Sequence, residues 1–518
     1  MSGGERRFAG AAALLAASVL LSRALGYVRE AVLAAQLGSS PEVDAYRAAF
    51  QIPDLLNYFL AGGALSIALV PHYARVLERE GEEAAARLLA VVLGTVGALT
   101  VLSTALLWWQ AEALVRLQFP RFSPEIQALT TRLTRIVLPA QFFFVTGGIV
   151  RAALMARDRF GTQALAPLLY NAGIIAGGLA LAGTLGAEGF AWGALAGAAF
   201  GPFLIAILDA RLGAGLRLGV RVAPLDPRFL HYARIAFPLM LGVTLLTVDE
   251  WYDRWFGALG ASGTVADLGY ARLLVQLPVA AVGQAIATAA LPTLSRLWSE
   301  GRRQELDAAL LGALRAGLAL AILAASGAAF LAEPIVSFVY QRGAFGPEDT
   351  ERVALLLRVF ALAVPAWITQ QIATRAFYAR GDTWRPMLLG TAVALAAIPL
   401  YLALGRRHGA AGLAAAGALG MTAAALVTLG IARRLHGGPS LAGLAQTGLR
   451  ALAIALPAGL AAAGLAELAR PWGSAAQLAA GGAVLAALAL AGLLAIGDAP
   501  MREFAQRVLR RLGLARRP

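Results

Sequence analysis

Residues 21–30 of the chain read LSRALGYVRE, inside an apolar run that begins with FAGAAALLAASVL and continues into AVLAAQLG. Ser22, Arg23, Arg29 and Glu30 bring polarity and charge into that run. In hydrocarbon each charge costs roughly 2.5–3.5 kcal/mol on insertion scales, so something must offset it. An arginine stays charged, and its planar fork donates paired hydrogen bonds that match the oxygens of a phosphate. Arg23 and Arg29 lie nearly two turns apart, about 120° from a shared face on a regular helix. Gly26 between them permits a bend that would aim both into one cavity. The chemistry these residues suit is the binding of an anionic, phosphorylated ligand.

Further charges stand in apolar surroundings. Arg47 lies near the start of the second apolar segment, with Asp44 at an N-cap position just ahead of it. Arg151, Arg272 and Arg375 sit in the fourth, eighth and tenth segments. The seventh contains TVDEWYDRWF, with Asp249, Glu250, Asp253 and Arg254. Asp249 and Asp253 are spaced to share a helical face. That suits a cation or proton site, or the counter-charge of a nearby arginine. For Arg47 and Arg151, near helix ends, snorkelling or a structural ion pair is the simpler role.

The elements that must position these residues follow from composition. The chain has 518 residues, 59% hydrophobic and 14% charged, with mean hydropathy +0.69. A soluble domain carries about a quarter charged residues. The expectation is an all-α polytopic membrane protein. About fourteen segments reach the roughly 20 apolar residues a span needs: 8–37, 45–76, 84–114, 128–156, 161–184, 186–211, 228–258, 265–298, 306–341, 348–379, 385–404, 409–434, 446–468 and 474–496. The net charge of +14 is carried by arginine alone, mostly in the even-numbered loops and at both termini. That pattern places both termini in the cytoplasm, and GRRHG in the eleventh loop is its one exception. The basic balance thus speaks for membrane topology, and no nucleic-acid partner is expected.

Other classes are excluded by what the sequence lacks. There is no cysteine for a disulfide or thiolate metal site, and four histidines leave little for zinc or haem. There is no lysine, hence no P-loop. No nucleophile–base pair stands out, so no enzyme and no cofactor are expected. The tail, MREFAQRVLRRLGLARRP, reads as a basic amphipathic helix on the surface of membrane lipids.

Residues 22–71, SRALGYVREAVLAAQLGSSPEVDAYRAAFQIPDLLNYFLAGGALSIALVP, resemble the N-terminal signature of the MurJ (MviN) lipid II flippases. The stretches ASGTVADLGYARLLVQLP, ALPTLSR, VYQRGAFGPEDT and RAFYARGDTWRP resemble later parts of that family. The resemblance implies two six-helix lobes around a central cationic cavity plus two C-terminal helices. This is the plan of the multidrug/oligosaccharidyl-lipid/polysaccharide exporter superfamily. It divides the chain into an N-lobe (1–211), a C-lobe (212–440), two extra helices (441–496) and a basic cytoplasmic tail (497–518). The implied substrate is lipid II, the undecaprenyl-pyrophosphate-linked peptidoglycan precursor. It would be moved from the cytoplasmic to the outer leaflet of the bacterial inner membrane by alternating access. A membrane potential or ion gradient would drive it. A monomer is compatible with this, and the oligomeric state stays open.

By the resemblance, Ser22, Arg23, Arg29 and Asp44 fall on functional positions of the family, and Glu30 takes the place of a frequent aspartate. Asn57 and Leu273 stand where the family has arginine, Gly62 and Gln276 where it has an acid. Arg272, about 100° round the helix from Leu273, and Arg47 would compensate from other faces. The substrate-binding set is therefore Ser22, Arg23, Arg29, Asp44, Arg47, Asn57 and Arg272. Asp253, with Asp249, is the ion-coupling candidate, since it resembles the helix-seven acid that some members use for sodium. The partner positions on helix eleven hold Ala397 and Tyr401, which are poor sodium ligands. Two other functions stay open: a flippase for another undecaprenyl-phosphate-linked glycan, and a cation-coupled multidrug exporter. The exporter would favour acids and aromatics in its cavity over Arg23 and Arg29.

Overall fold

A computed structural model of the chain describes residues 3–60, 64–244, 248–436 and 441–511, with side chains outside the description at 3–12, 58–60, 64–67, 238–244, 249, 436 and 441–442. Among the described residues every regular element is helical. The chain forms two compact units, Met1–Ala266 with Arg342–Phe345, and Asp267–Gln341 with Gly346–Pro518.

Unit 1 begins with α1 (Gly3–Leu37), α2 (Pro41–Ala49), α3 (Gln51–Leu60), α4 (Ala64–Glu80) and α5 (Glu82–Trp109). It continues through α6 (Ala111–Gln118), α7 (Pro124–Val137), α8 (Ala140–Met155), α9 (Gly161–Leu185) and α10 (Ala187–Ala198). Two π-turns flank α11 (Ile205–Leu208), and α12 (Pro227–Thr244) and α13 (Val248–Gly257) complete the unit. The chain leaves α1 at Gly38, whose φ of +63° favours glycine. A Cβ there would lie 2.6 Å from the Ala344 carbonyl oxygen. The Ala344 N–H donates to the Ala35 carbonyl at 2.8 Å, meeting one acceptor that a helix end leaves unpaired. Contrary to the sequence reading, Asp44 does not open α2. Extended Ser40 is its N-cap residue and Pro41 its first helical one, because proline's fixed φ suits that position. The unit's core gathers Leu69 and Tyr73 of α4, Leu88 and Val92 of α5 and Val150 of α8, all buried.

Helices α9 and α10 approach through glycine. A Cβ on Gly173 would sit 2.5 Å from Gly197 Cα, and one on Gly177 would sit 2.5 Å from Gly193 Cα. Pairs of glycines four apart on each helix let the backbones meet, as small residues do between membrane helices.

Unit 2 holds α14 (Thr264–Pro278), whose first turn lies in unit 1, then α15 (Ala285–Ser299), α16 (Arg303–Phe330) and α17 (Ala332–Tyr340). After them come α18 (Pro347–Ala361), α19 (Val364–Tyr378), α20 (Trp384–His436), α21 (Leu441–Leu468), α22 (Ser474–Ala495) and α23 (Ala499–Arg511). Asp498 caps α23 by accepting from the Met501 N–H at 3.2 Å. Met501 and Ala505 on its inner face are buried against Ala319, Ile454 and Leu493.

Nine helical runs among the described residues are long and apolar enough to cross a membrane, or ten if α18 and α19, bent by 42°, form one span. The chain is thus a multi-pass α-helical membrane protein. Length and composition alone do not reach the expected fourteen, for reasons visible in the helices. The segment 45–76 is divided among α2, α3 and α4, and 228–258 between α12 and α13. The segment 8–37 lies in α1, whose first side chains are outside the described ones. The expected segments 385–404 and 409–434 both lie in α20, which breaks at Gly409, φ +56° and ψ −136°.

Candidate functional site

The site grows from α1. Helix periodicity turns Ser22, Arg29 and Glu30 toward neighbouring helices of unit 1, while Arg23 is exposed. Arg29 Nη2 donates to Glu30 Oε1 at 2.8 Å, and Arg47 Nη2, from α2, donates to Glu30 Oε2 at 2.6 Å. Glu30 is 5% exposed. One buried carboxylate thus serves two guanidiniums, leaving a net positive charge. Arg29 Nη1 also donates to Asn171 Oδ1 of α9 at 3.1 Å. Asn171 in turn donates to Ser22 Oγ at 3.4 Å and to the Pro167 carbonyl at 3.0 Å. The fold therefore brings Ser22, Arg29 and Arg47 into one network.

A second pair adjoins it. Arg254 of α13 donates to Asp54 Oδ2 of α3 at 2.8 Å and to Gln51 Oε1 at 3.4 Å. Asp54 lies within electrostatic reach of Arg29. Asn57 is half-buried one turn beyond Asp54 on the same face of α3. Three guanidiniums of this region, Arg29, Arg47 and Arg254, thus stand among three carboxylates, Glu30, Asp54 and Glu250, the last within electrostatic reach of Asp54. Arg29 and Arg254 each have guanidinium donors beyond the bonds described, which suit the oxygens of an anion.

Other residues of the expected set are placed elsewhere. Asp44 is 2% exposed, and its oxygens accept from Gly263 N–H at 2.6 Å and Ala266 N–H at 2.8 Å. It caps the first turn of α14, with a buried carboxylate stabilised by backbone dipoles. Arg272 belongs to unit 2. It is 6% exposed, with its guanidinium carbon 5.0 Å from the Phe360 ring centre and 5.4 Å from that of Trp367. Aromatic faces stabilise a desolvated cation there. Asp253 is buried on α13. The side chain of Asp249, and Gly62 altogether, lie outside the described residues. Arg151 donates to Gln163 Oε1 at 3.0 Å and to the Pro202 carbonyl in a π-turn, as a structural role requires.

The sequence reading missed Asn171, Asp54 and Gln51. A weak signal existed for Asp54, a charge inside QIPDLLNYFL. Asn171 is one amide in the apolar α9, and only the packing of α9 on α1 gives it a purpose.

Known proteins resemble this chain in sequence and in fold. A family model described as "Lipid II flippase MurJ" matches residues 33–480. A relative from Rhizobium meliloti (strain 1021), "Probable lipid II flippase MurJ", is 29% identical over 494 residues, covering 93% of this chain and 90% of its own. Among solved structures, "Lipid II flippase MurJ, inward closed conformation" aligns with TM-score 0.76 at 23% identity, over 92% of this chain and 97% of that one. An inward-facing multidrug resistance MATE family transporter of the MOP superfamily aligns with TM-score 0.68 at 15% identity, over 80% and 94%. At these identities the two structures speak for the fold.

Proposed function

The chain belongs to the lipid II flippase MurJ family, and from that premise we propose that it moves lipid II from the cytoplasmic to the outer leaflet of the bacterial inner membrane, serving peptidoglycan synthesis. The observation that carries this reading is the cluster in which Arg29 and Arg47, both partly buried, share the buried Glu30. A pyrophosphate offers several oxygens to arginine forks and would offset the cost of their burial. Ser22 and Asn171 orient Arg29, and Arg23 and Asn57 extend the polar surface. Arg272 is a further candidate for the substrate-binding set. Asp44 acts by fixing the first turn of α14.

On this reading fourteen helices cross the membrane, both termini are cytoplasmic, and transport needs no catalysis. The moving lobes are 1–211 and 212–440, with 441–496 and the tail 497–518 outside the alternating core. Their boundary falls ahead of α12, although α12 and α13 pack within unit 1. Transport runs by alternating access, coupled to membrane potential or an ion other than sodium, since Ala397 and Tyr401 offer Asp253 poor sodium ligation.

The test is replacement of the native flippase in a depleted bacterial host, scored by growth and by arrival of labelled lipid II at the outer leaflet. The expected result is rescue by the chain and loss of rescue with Arg29→Ala or Arg23→Ala. Failure of the parent chain, with insertion confirmed, would overturn the lipid II assignment. It would favour another undecaprenyl-linked glycan, consistent with Asn57 and Leu273 at positions where the family has arginine.

A further inference from the structure

Unit 2 carries a second cationic site, which the flipping reading does not use. Where α21 begins and α22 turns into α23, an open pocket of about 480 Å³ is lined by Arg315, Arg450, Asp498, Arg502 and Glu503 among others. Its two acids already have partners. Asp498 accepts from Arg315 Nη2 at 2.8 Å and Nε at 3.1 Å, and from the Thr447 hydroxyl at 2.5 Å. Burial alone would raise the Asp498 carboxyl. The Thr447 hydroxyl, the Met501 N–H and Arg315 together hold it below the usual range. It is therefore a carboxylate at neutral pH and neutralises Arg315. Glu503 pairs with Arg507 at 3.3 Å. The side chains of Arg450 and Arg502 make no ion pair or hydrogen bond among the described residues. Two guanidiniums without counter-ions thus share one concave surface.

An apolar track leads away from that surface. Leu449, Leu452, Leu456 and Leu460 are 69%, 43%, 50% and 63% exposed. Their spacing puts them on one face of α21, beginning beside Arg450. Residues Gly443–Leu468 of α21 form one of the membrane-crossing runs, so this face meets acyl chains. Two uncompensated cations at the head of an apolar stripe match a phosphate joined to hydrocarbon, which neither a free phosphate nor a neutral lipid reproduces.

We propose that Arg450 and Arg502 bind the headgroup phosphate of an anionic phospholipid whose acyl chains lie along the Leu449–Leu460 face of α21. The bound lipid would hold α23 against the membrane-facing end of unit 2.

The test uses the full chain, purified in detergent and stripped of lipid. Phosphatidylglycerol or phosphatidylcholine is added and bound lipid is counted by native mass spectrometry. The R450Q/R502Q variant should bind phosphatidylglycerol roughly 10- to 30-fold more weakly, given about 1 kcal/mol per arginine near an anionic surface. Phosphatidylcholine binding should not change. Arg470→Gln, which removes an exposed arginine paired with Glu467 at 2.9 Å, should leave both lipids as in the parent. Inorganic phosphate should not displace phosphatidylglycerol. Equal phosphatidylglycerol binding by parent and double variant would overturn the proposal. Displacement by inorganic phosphate would do so too, by assigning the pocket to free phosphate. Should the double variant fail to fold, Arg502→Gln alone, at an exposed side chain, carries the same test with about a 5-fold expected loss.

Discussion

Glu30 decides what Arg29 and Arg47 can do. Each of its oxygens is held by one guanidinium, at 2.8 and 2.6 Å, so two cations share one counter-ion. Removing one partner of a fully buried ion pair costs roughly 3–5 kcal/mol; here the charges left behind, Arg29 and Arg47, are partly exposed, so the cost is smaller. Glu30→Gln should therefore lower the melting temperature of the substrate-free protein. Adding undecaprenyl pyrophosphate should raise it more in the variant than in the parent, since the ligand replaces the missing anion. An equal rise in both would mean that the pyrophosphate does not reach Arg29 and Arg47. Arg29 stood out in the sequence as a charge in an apolar run, whereas Ser22 and Arg47 entered the candidate set through the family resemblance, an ion pair being the simpler role for Arg47. Asp44 was legible as important but not in its role, because its partners Gly263 and Ala266 lie far along the chain. Asn171 and Asp54 were hidden because an isolated polar residue in a helix has no address until the neighbouring helix is known.

Among the elements, α9 and α10 depend on what their side chains leave out. A Cβ on Gly177 would fall 2.5 Å from Gly193 Cα and 2.6 Å from the Gly189 carbonyl oxygen, both backbone atoms that cannot rotate away. Gly177→Val should destabilise the protein by at least the roughly 1–3 kcal/mol of an overpacked core, as backbone rather than side chains must move. Gly183→Val on the same helix, where a Cβ meets nothing within 4 Å, is the control. Thermal unfolding in detergent should separate the two variants, and equal melting temperatures would show that the α9–α10 contact tolerates widening. Hydropathy located most helices because burial in lipid selects apolar residues all round. It could not see the break at Phe50, where α2 hands over to α3 without losing apolar character, nor the kinked junction of α18 and α19. The break in α20 was visible because GRRHG places charge and glycine together.

For the whole molecule, the number of crossings turns on α20. At 1.5 Å per residue its 53 residues would reach about 80 Å as a straight rod, more than twice the roughly 30 Å of a bilayer core. The positive φ of Gly409 breaks that rod, and on the proposed fourteen-span reading the chain crosses once on each side of the break. That reading puts Arg406, exposed beside the break, on the outer side of the membrane despite the preference of arginine for the cytoplasmic side. The same reading puts Arg433 and Arg434, exposed near the far end of α20, on the cytoplasmic side, in line with that preference. The chain has no cysteine, so each introduced thiol reports one position without background. In intact cells, Arg406→Cys should react with a membrane-impermeant maleimide, while Arg434→Cys should react only after the membrane is opened. Labelling of both from outside, or of neither, would place the two ends of α20 differently. It would remove the even count of spans on which the cytoplasmic placement of both termini rests.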